Sequence, residues 1–393
     1  MREFGIASIV LLLTLTSVSN PTMRTGESAQ DSVTVDTIDH RPVQETLRVL
    51  TYNAFLRPPP IGWGDKTACR AEQISRRLAN EPIPRDIIAL NETFDRDRLD
   101  TLATNLQERF PYQLLGQPES RGFRTNGGLS LMSRHPIEHS AAHTFERCSG
   151  DFNDCLATKG FLWALVRVSN NLKVNVIVTH MNSGGDESAR RARASQLAQI
   201  QRFMDSQPML DRWPTVLMGD LNVNGLRWRP RHPESGDLTE YATAMAQLGN
   251  TCAQCETAAC FAACRPFPVD AFRRHTGKWS FDAAGTRQAS TYNCSGQNMA
   301  PCTDLNVGEQ WRERMRLDYV LHFGPPALVP DMAVEVLNAS SLDFKNNVCG
   351  TTYLSDHQGV EATLEIRREP DLNAAFVPPS RAHNLGQQIE ISR

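Results

Sequence analysis

Apolar positions along the chain cluster into short runs with strand character. They are Leu47-Arg48-Val49-Leu50-Thr51-Tyr52-Asn53, Asp86-Ile87-Ile88-Ala89-Leu90, Gly128-Leu129-Ser130-Leu131-Met132, Phe161 to Val168, Val174 to Thr179 and Thr215 to Met218. Three more follow late: Leu317 to Phe323, Met332 to Leu337 and Gly359 to Ile366. Between them, helical spacing predicts helices over Ala68–Leu78, about Arg98–Phe110, and Glu187–Met204. Strands interleaved with helices in one continuous stretch predict an α/β sandwich.

The flanks have a different pattern. Arg2, the apolar run Ile6 to Leu15 and the small residues around Ser17-Val18-Ser19 predict a cleaved secretory signal over residues 1–20. A membrane-spanning helix needs roughly 20 apolar residues, and this run is shorter. An uncleaved anchor is the alternative. Residues 21–46 are polar and read as a flexible lead-in. Residues 368–393, with Pro370, Pro378 and Pro379, read as a loose tail. The part between, 47–367, reads as one domain, interrupted at about 251–302 by a cross-linked insert.

Composition narrows the function. The chain has 393 residues, 40% of them hydrophobic, enough for a large core. A formal net charge of -3 offers no global basic field for nucleic acid. Ten cysteines in an exported chain suggest disulfides. Six fall in the insert, and Cys252, Cys255, Cys260 and Cys264 also have a spacing that zinc tolerates; export favours disulfides. Cys148 and Cys155 are near enough for a local bridge. Arg190, Arg191 and Arg193 read as a solvated helix face. Arg227, Arg229 and Arg231, with Trp228, suit lipid headgroups or nucleic acid. A third arginine cluster is Arg312, Arg314 and Arg316.

The candidate chemistry sits where apolar strands end, the usual place for catalytic groups on a rigid scaffold. Asn53 and Glu92 close two strands. His180 and Asn182 follow a third, Asp220 and Asn222 a fourth. Asp318 lies within a strand, and Asp356 and His357 precede the last one. Carboxylate and amide oxygens suit a hard cation such as magnesium. Two histidines can supply a general base and a phosphate-stabilising donor. Each residue alone also has an ordinary reading: Asn53 as a turn residue, Glu92 as a helix cap, Asp220-Leu221-Asn222 as a turn, His180 as a satisfied strand-end histidine. Asp318 is harder to dismiss, because a buried carboxylate needs a partner.

Taken in order, Leu50-Thr51-Tyr52-Asn53, Asp86 to Glu92, Gly127-Gly128-Leu129, Thr179-His180, Gly219-Asp220-Leu221-Asn222, Leu317-Asp318-Tyr319 and Ser355-Asp356-His357 resemble the endonuclease/exonuclease/phosphatase superfamily. Within it, Leu90 to Asp95, Cys155 to Phe161, Asp220 to Asn224, Glu240-Tyr241-Ala242 and Tyr353 to Thr363 look like bacterial secreted sphingomyelinases C. The resemblance implies a four-layer α/β/β/α sandwich of the deoxyribonuclease-like type. It implies a magnesium-dependent phosphodiesterase that cleaves sphingomyelin to ceramide and phosphocholine. One ion or two are compatible with it, and manganese or cobalt can substitute.

The resemblance also implies roles. Glu92 holds magnesium, with Asn53 beside it. His357 is the general base, oriented by Asp318. Asp356 joins the metal and phosphate centre, and Asp220 and Asn222 hold the nucleophile and phosphate oxygens. His180 donates to the phosphate or leaving group. Lys159 binds phosphate or orders its loop, and Asp282 is a less specific match. The implied partner is a phospholipid membrane surface, with no stable protein partner, no nucleic acid and a monomeric state. The implied location is extracellular or periplasmic. A secreted nuclease of the same fold and an inactive binding or toxin component are the alternatives. One departure matters: haemolytic members carry adjacent exposed aromatics on a hairpin before the last Asp-His, whereas the stretch Ala339 to Cys349 offers Leu342 and Phe344 and no tryptophan.

Overall fold

The structure is a computed structural model, and it describes residues 43–82, 84–116, 125–149, 152–225, 240–254, 258–276, 316–342, 344–345, 347–351 and 353–368. In chain order its strands are β1 (Val43–Leu56), β2 (Ile87–Thr93), β3 (Tyr112–Leu115), β4 (Ser130–Ser133), β5 (Ile137–Thr144), β6 (Gly160–Ser169), β7 (Leu172–His180), β8 (Thr215–Asp220), β9 (Val269–Asp270), β10 (Asp318–Phe323), β11 (Met332–Leu342) and β12 (Gly359–Arg368). The helices are α1 (Thr67–Ala79), α2 (Arg96–Leu106), α3 (Phe152–Leu156), α4 (Glu187–Ser206), α5 (Glu240–Gln247), α6 (Ala258–Ala263) and α7 (Ala271–Thr276).

Two six-stranded sheets result, ordered β11-β12-β1-β2-β4-β3 and β5-β6-β7-β8-β10-β9. Each has one parallel pair, β1 with β2 and β7 with β8. Leu50, Tyr52 and Leu90 pack outward on Ile74 and Leu78 of α1 and Leu102 and Leu106 of α2. On the other sheet, Ile177, Leu217 and Leu321 pack on Leu197, Ile200 and Phe203 of α4 and Met245 of α5. The alternate residues Val49, Ala89, Val176, Val178, Val216 and Val320 are buried as well. Side chains alternate across a strand, so both faces of these strands are covered. This is the four-layer sandwich that the resemblance implied.

Several boundaries differ from the sequence reading. Val43 to Thr46 belong to β1, because they pair with Arg368 to Glu365 of β12 and Gln44 donates to Glu365 at 2.9 Å. The four-residue β3 is too short, and the largely polar β5 too poor in hydrophobic alternation, to be seen in sequence. The second helix starts earlier and stops at Leu106, with Asp95 as its N-cap accepting from the Arg98 amide. Capping there falls to Asp95, which leaves Glu92 free for another task.

The insert is a disulfide region where described. Cys252 bonds Cys264, and Cys260 is also disulfide-bonded, which removes the thiolates that zinc would need. Cys148 bonds Cys155, and Cys69 of α1 bonds Cys349, a pairing the sequence did not suggest. Arg193 is not solvated: it is buried and ion-paired to Glu240 at 2.6 Å, while Arg190 and Arg191 stay exposed. Phe344 turns inward and stacks on Tyr52 with ring centroids 4.3 Å apart. The leader, Asp282, the Arg227, Arg229 and Arg231 cluster, Arg312, Arg314 and the tail beyond Arg368 lie outside the described residues.

Candidate active site

Register brings the polar strand ends together. In the second sheet, Asp220 pairs with His180 of β7 on one side and Asp318 of β10 on the other. In the first sheet, Asn53 of β1 pairs with Asn91, next to Glu92, while Asp356 and His357 enter β12 beside it. The Asn53 amide joins the two sheets, donating to Glu92 Oε1 at 3.0 Å and Asp220 Oδ2 at 3.1 Å. Asn91 adds a second link, donating to the Thr179 carbonyl at 2.8 Å.

Two ligand-type residues adopt left-handed backbone, Glu92 with φ 55 and Asn222 with φ 52. Such conformations are uncommon away from glycine and concentrate at functional sites. Asn222 is held there by its amide to Asp220 Oδ1 at 2.9 Å and its side chain to the Met181 carbonyl at 3.0 Å.

His357 Nδ1 lies 2.7 Å from Asp318 Oδ2, and its Nε2 lies 3.8 Å from Asp220 Oδ2. Burial opposes charge on this ring, but Asp318 and Asp220 outweigh it and hold the imidazolium pKa well above its ordinary value. His180 behaves oppositely. Burial, Lys159 and His357 push it well below the ordinary value, so it is neutral. Its Nε2 lies 3.7 Å from Asp220 Oδ2 and 3.9 Å from Glu92 Oε1. Two imidazoles in opposite charge states therefore flank one carboxylate oxygen.

Lys159 is buried and fully committed. Its ammonium lies 2.5 Å from Asp154, 2.8 Å from the Met181 carbonyl and 3.3 Å from His180 Nε2. An ammonium has three donors, and these are its three partners. That geometry favours loop ordering over direct phosphate contact.

The carboxylates create the demand for a cation. Burial raises Glu92, assisted by Asp356; burial also raises Asp356. Asp220 is pushed up to about 7 by burial and by Asp318. Among the described residues, no lysine or arginine forms an ion pair with any of the three. Three buried carboxylates gathered with the His357 imidazolium as their close counter-charge are costly. Their oxygens suit a hard divalent ion, and Glu92, His180 and Asp220 place ligand atoms within 4.8 Å of one another. The donor set therefore fits a divalent cation.

Four supporting residues were given no role in the sequence reading. Asn91 is fully buried in an apolar strand, which itself signals a required partner. At Gly219, φ is 144 and an added Cβ would lie 1.9 Å from the Thr179 carbonyl; a glycine inside a strand marks such close approach. Ser355 accepts from the His357 amide at 3.1 Å. Arg70 is buried in α1 and donates to the carbonyls of Ala54, Phe55, Asp65 and Leu354, bracing both segments of the site in the first sheet. Nothing in the sequence separates it from a solvated helix arginine.

This geometry has known counterparts. A model of the Endonuclease/Exonuclease/phosphatase family matches residues 50–357. The chain belongs to that family. Sphingomyelinase C of Leptospira interrogans is 31% identical over 196 residues, which are 45% of this chain and 34% of that protein. The chain thus spans about a third of that relative's length. A sphingomyelinase C of Bacillus cereus is 26% identical over 268 residues, 63% of this chain and 71% of that protein. Among solved structures, a variant of beta toxin from Staphylococcus aureus with bound magnesium ions matches with a TM-score of 0.54 at 20% identity, covering 81% of this chain and 99% of that one. That likeness speaks for the fold.

Proposed function

We propose that this phosphodiesterase-type hydrolase cleaves sphingomyelin to phosphocholine and ceramide with magnesium, outside the cell. The observation that carries the reading is the cluster of buried, elevated carboxylates facing the His357–Asp318 pair. The relatives named sphingomyelinase C support the substrate class, and the disulfides support export.

Glu92, Asn53 and Asp356 would hold the magnesium, whose charge, when bound, offsets the phosphate and quiets the carboxylate field around His357. His357, fixed by Asp318 through Nδ1, turns Nε2 to the reacting water and, in its deprotonated form, takes that water's proton. Asp220 and Asn222 position that water and a phosphate oxygen. The oxygen enters phosphorus in line as the bond to the ceramide oxygen breaks, and that oxygen leaves as the alcohol after taking a proton from water. His180, its ring set by Lys159, meets the phosphate or the departing oxygen. Asp282 is kept as a headgroup-side candidate.

Fold alone does not separate lipid from nucleic acid substrates. Side-by-side turnover does. The purified mature protein should release phosphocholine from sphingomyelin vesicles and leave plasmid DNA intact. Nicked DNA with intact lipid would move the protein to the nuclease reading, and no turnover of either to the binding-protein reading.

A further inference from the structure

The loop joining β1 to α1 shows two large apolar residues to solvent. Trp63 is 76% exposed and Ile61 is 40% exposed. The loop is rigid. Pro58, Pro59 and Pro60 restrict its backbone. The Gly62 amide donates to the Pro58 carbonyl at 2.9 Å, Trp63 to Pro60 at 3.1 Å and Asp65 to Gly62 at 3.1 Å. Gly62 packs so tightly that an added Cβ would lie 2.1 Å from the Arg57 carbonyl. Arg57 closes the loop base with a two-point pair to Asp65, at 2.9 and 3.0 Å. Trp63 is therefore presented to water by a braced scaffold.

The loop borders the candidate active site. Arg70 grips the Asp65 carbonyl with the same guanidinium that holds Ala54, next to Asn53, and Leu354, two residues before Asp356. The charge of Arg57 is felt at Asp356. A second apolar tip is tied to the helix that follows this loop: Val348, 73% exposed, precedes Cys349, which is bonded to Cys69 in the first turn of α1. Lys66, exposed, sits between loop and helix.

We infer that Trp63, with Ile61 and Val348, is the part of this protein that enters the lipid–water interface and brings the site to a membrane-borne substrate. The inference rests on the lipid reading given above. The chemistry selects a lipid surface. Tryptophan has an apolar body and a polar N–H, suited to the headgroup boundary, and the neighbouring Lys66 can meet headgroup phosphate. Phe344, stacked inward on Tyr52, is not such a contact.

The test uses full-length mature protein, its Trp63→Ala variant and Trp63→Phe as the conservative rescue. Binding to vesicles of phosphatidylcholine and sphingomyelin is measured by sedimentation in chelator. Turnover is measured on those vesicles and on the water-soluble para-nitrophenyl phosphorylcholine. Losing one buried aromatic predicts roughly tenfold weaker vesicle binding for Trp63→Ala. Vesicle turnover should fall with it, soluble turnover should stay, and Trp63→Phe should recover most of the binding. Vesicle binding equal to wild type in Trp63→Ala, or no vesicle binding by wild type, overturns the inference. Trp63-dependent binding without sphingomyelin turnover would support this surface and remove only the assigned substrate.

Discussion

At the scale of single residues, the site depends on charge states set by burial. His357 and His180 have the same ionisable ring and opposite balances: Asp318 and Asp220 outweigh burial at His357, whereas burial, Lys159 and the His357 charge hold His180 down. Replacing His357 with Ala removes the base and should lower turnover about a hundred- to ten-thousandfold. The fold should survive, which circular dichroism and thermal melting will check. Glu92→Gln keeps the shape and removes a charge. The magnesium concentration for half-maximal turnover should rise, and an unchanged titration would take Glu92 out of the metal site. Gly219→Ala must displace the Thr179 carbonyl and should leave little folded protein in a soluble-yield assay.

At the scale of elements, two devices hold the strand ends in register. One is the polar stitch of Asn53 and Asn91 between sheets. Asn91→Leu leaves the Thr179 carbonyl without its donor and should cost about 1–3 kcal/mol, read from denaturant unfolding. The other is the Cys69–Cys349 bond, which ties α1 to the segment leading into Asp356 and His357 across 280 residues of sequence. Long loops gain most from closure, and replacing both cysteines by Ser should remove roughly 2–5 kcal/mol. Reading the strand ends in sequence found the first device's Asn53 and missed its Asn91. It had no means of finding the second, because connectivity among ten cysteines is not encoded locally.

At the scale of the whole molecule, the interior limits acid tolerance. His322 of β10 is held down to about 4 by burial, with Arg274 adding to the effect. Below pH 6.5 the unfolded chain takes up a proton that the native state refuses. The stability from neutral His322 is complete above that pH and is lost as pH falls toward 4, by about 3 kcal/mol. His322→Leu should flatten the fall in melting temperature across this window; an unchanged slope would place the acid sensitivity elsewhere.

What was legible in the sequence follows the same physics. Buried strands with polar ends announce themselves through composition, so nearly all the sandwich and the cluster from Asn53 to His357 could be read. Arg70, Arg193 and Phe344 could not. Their burial depends on partners distant in sequence: Leu354 for Arg70, Glu240 for Arg193, Tyr52 for Phe344.

The most direct test is phosphocholine release from sphingomyelin vesicles by the mature protein, with magnesium and with chelator. The proposed chemistry predicts release that requires magnesium and returns when the ion is restored to the chelated sample. Undiminished release in chelator, or none with magnesium, would contradict it.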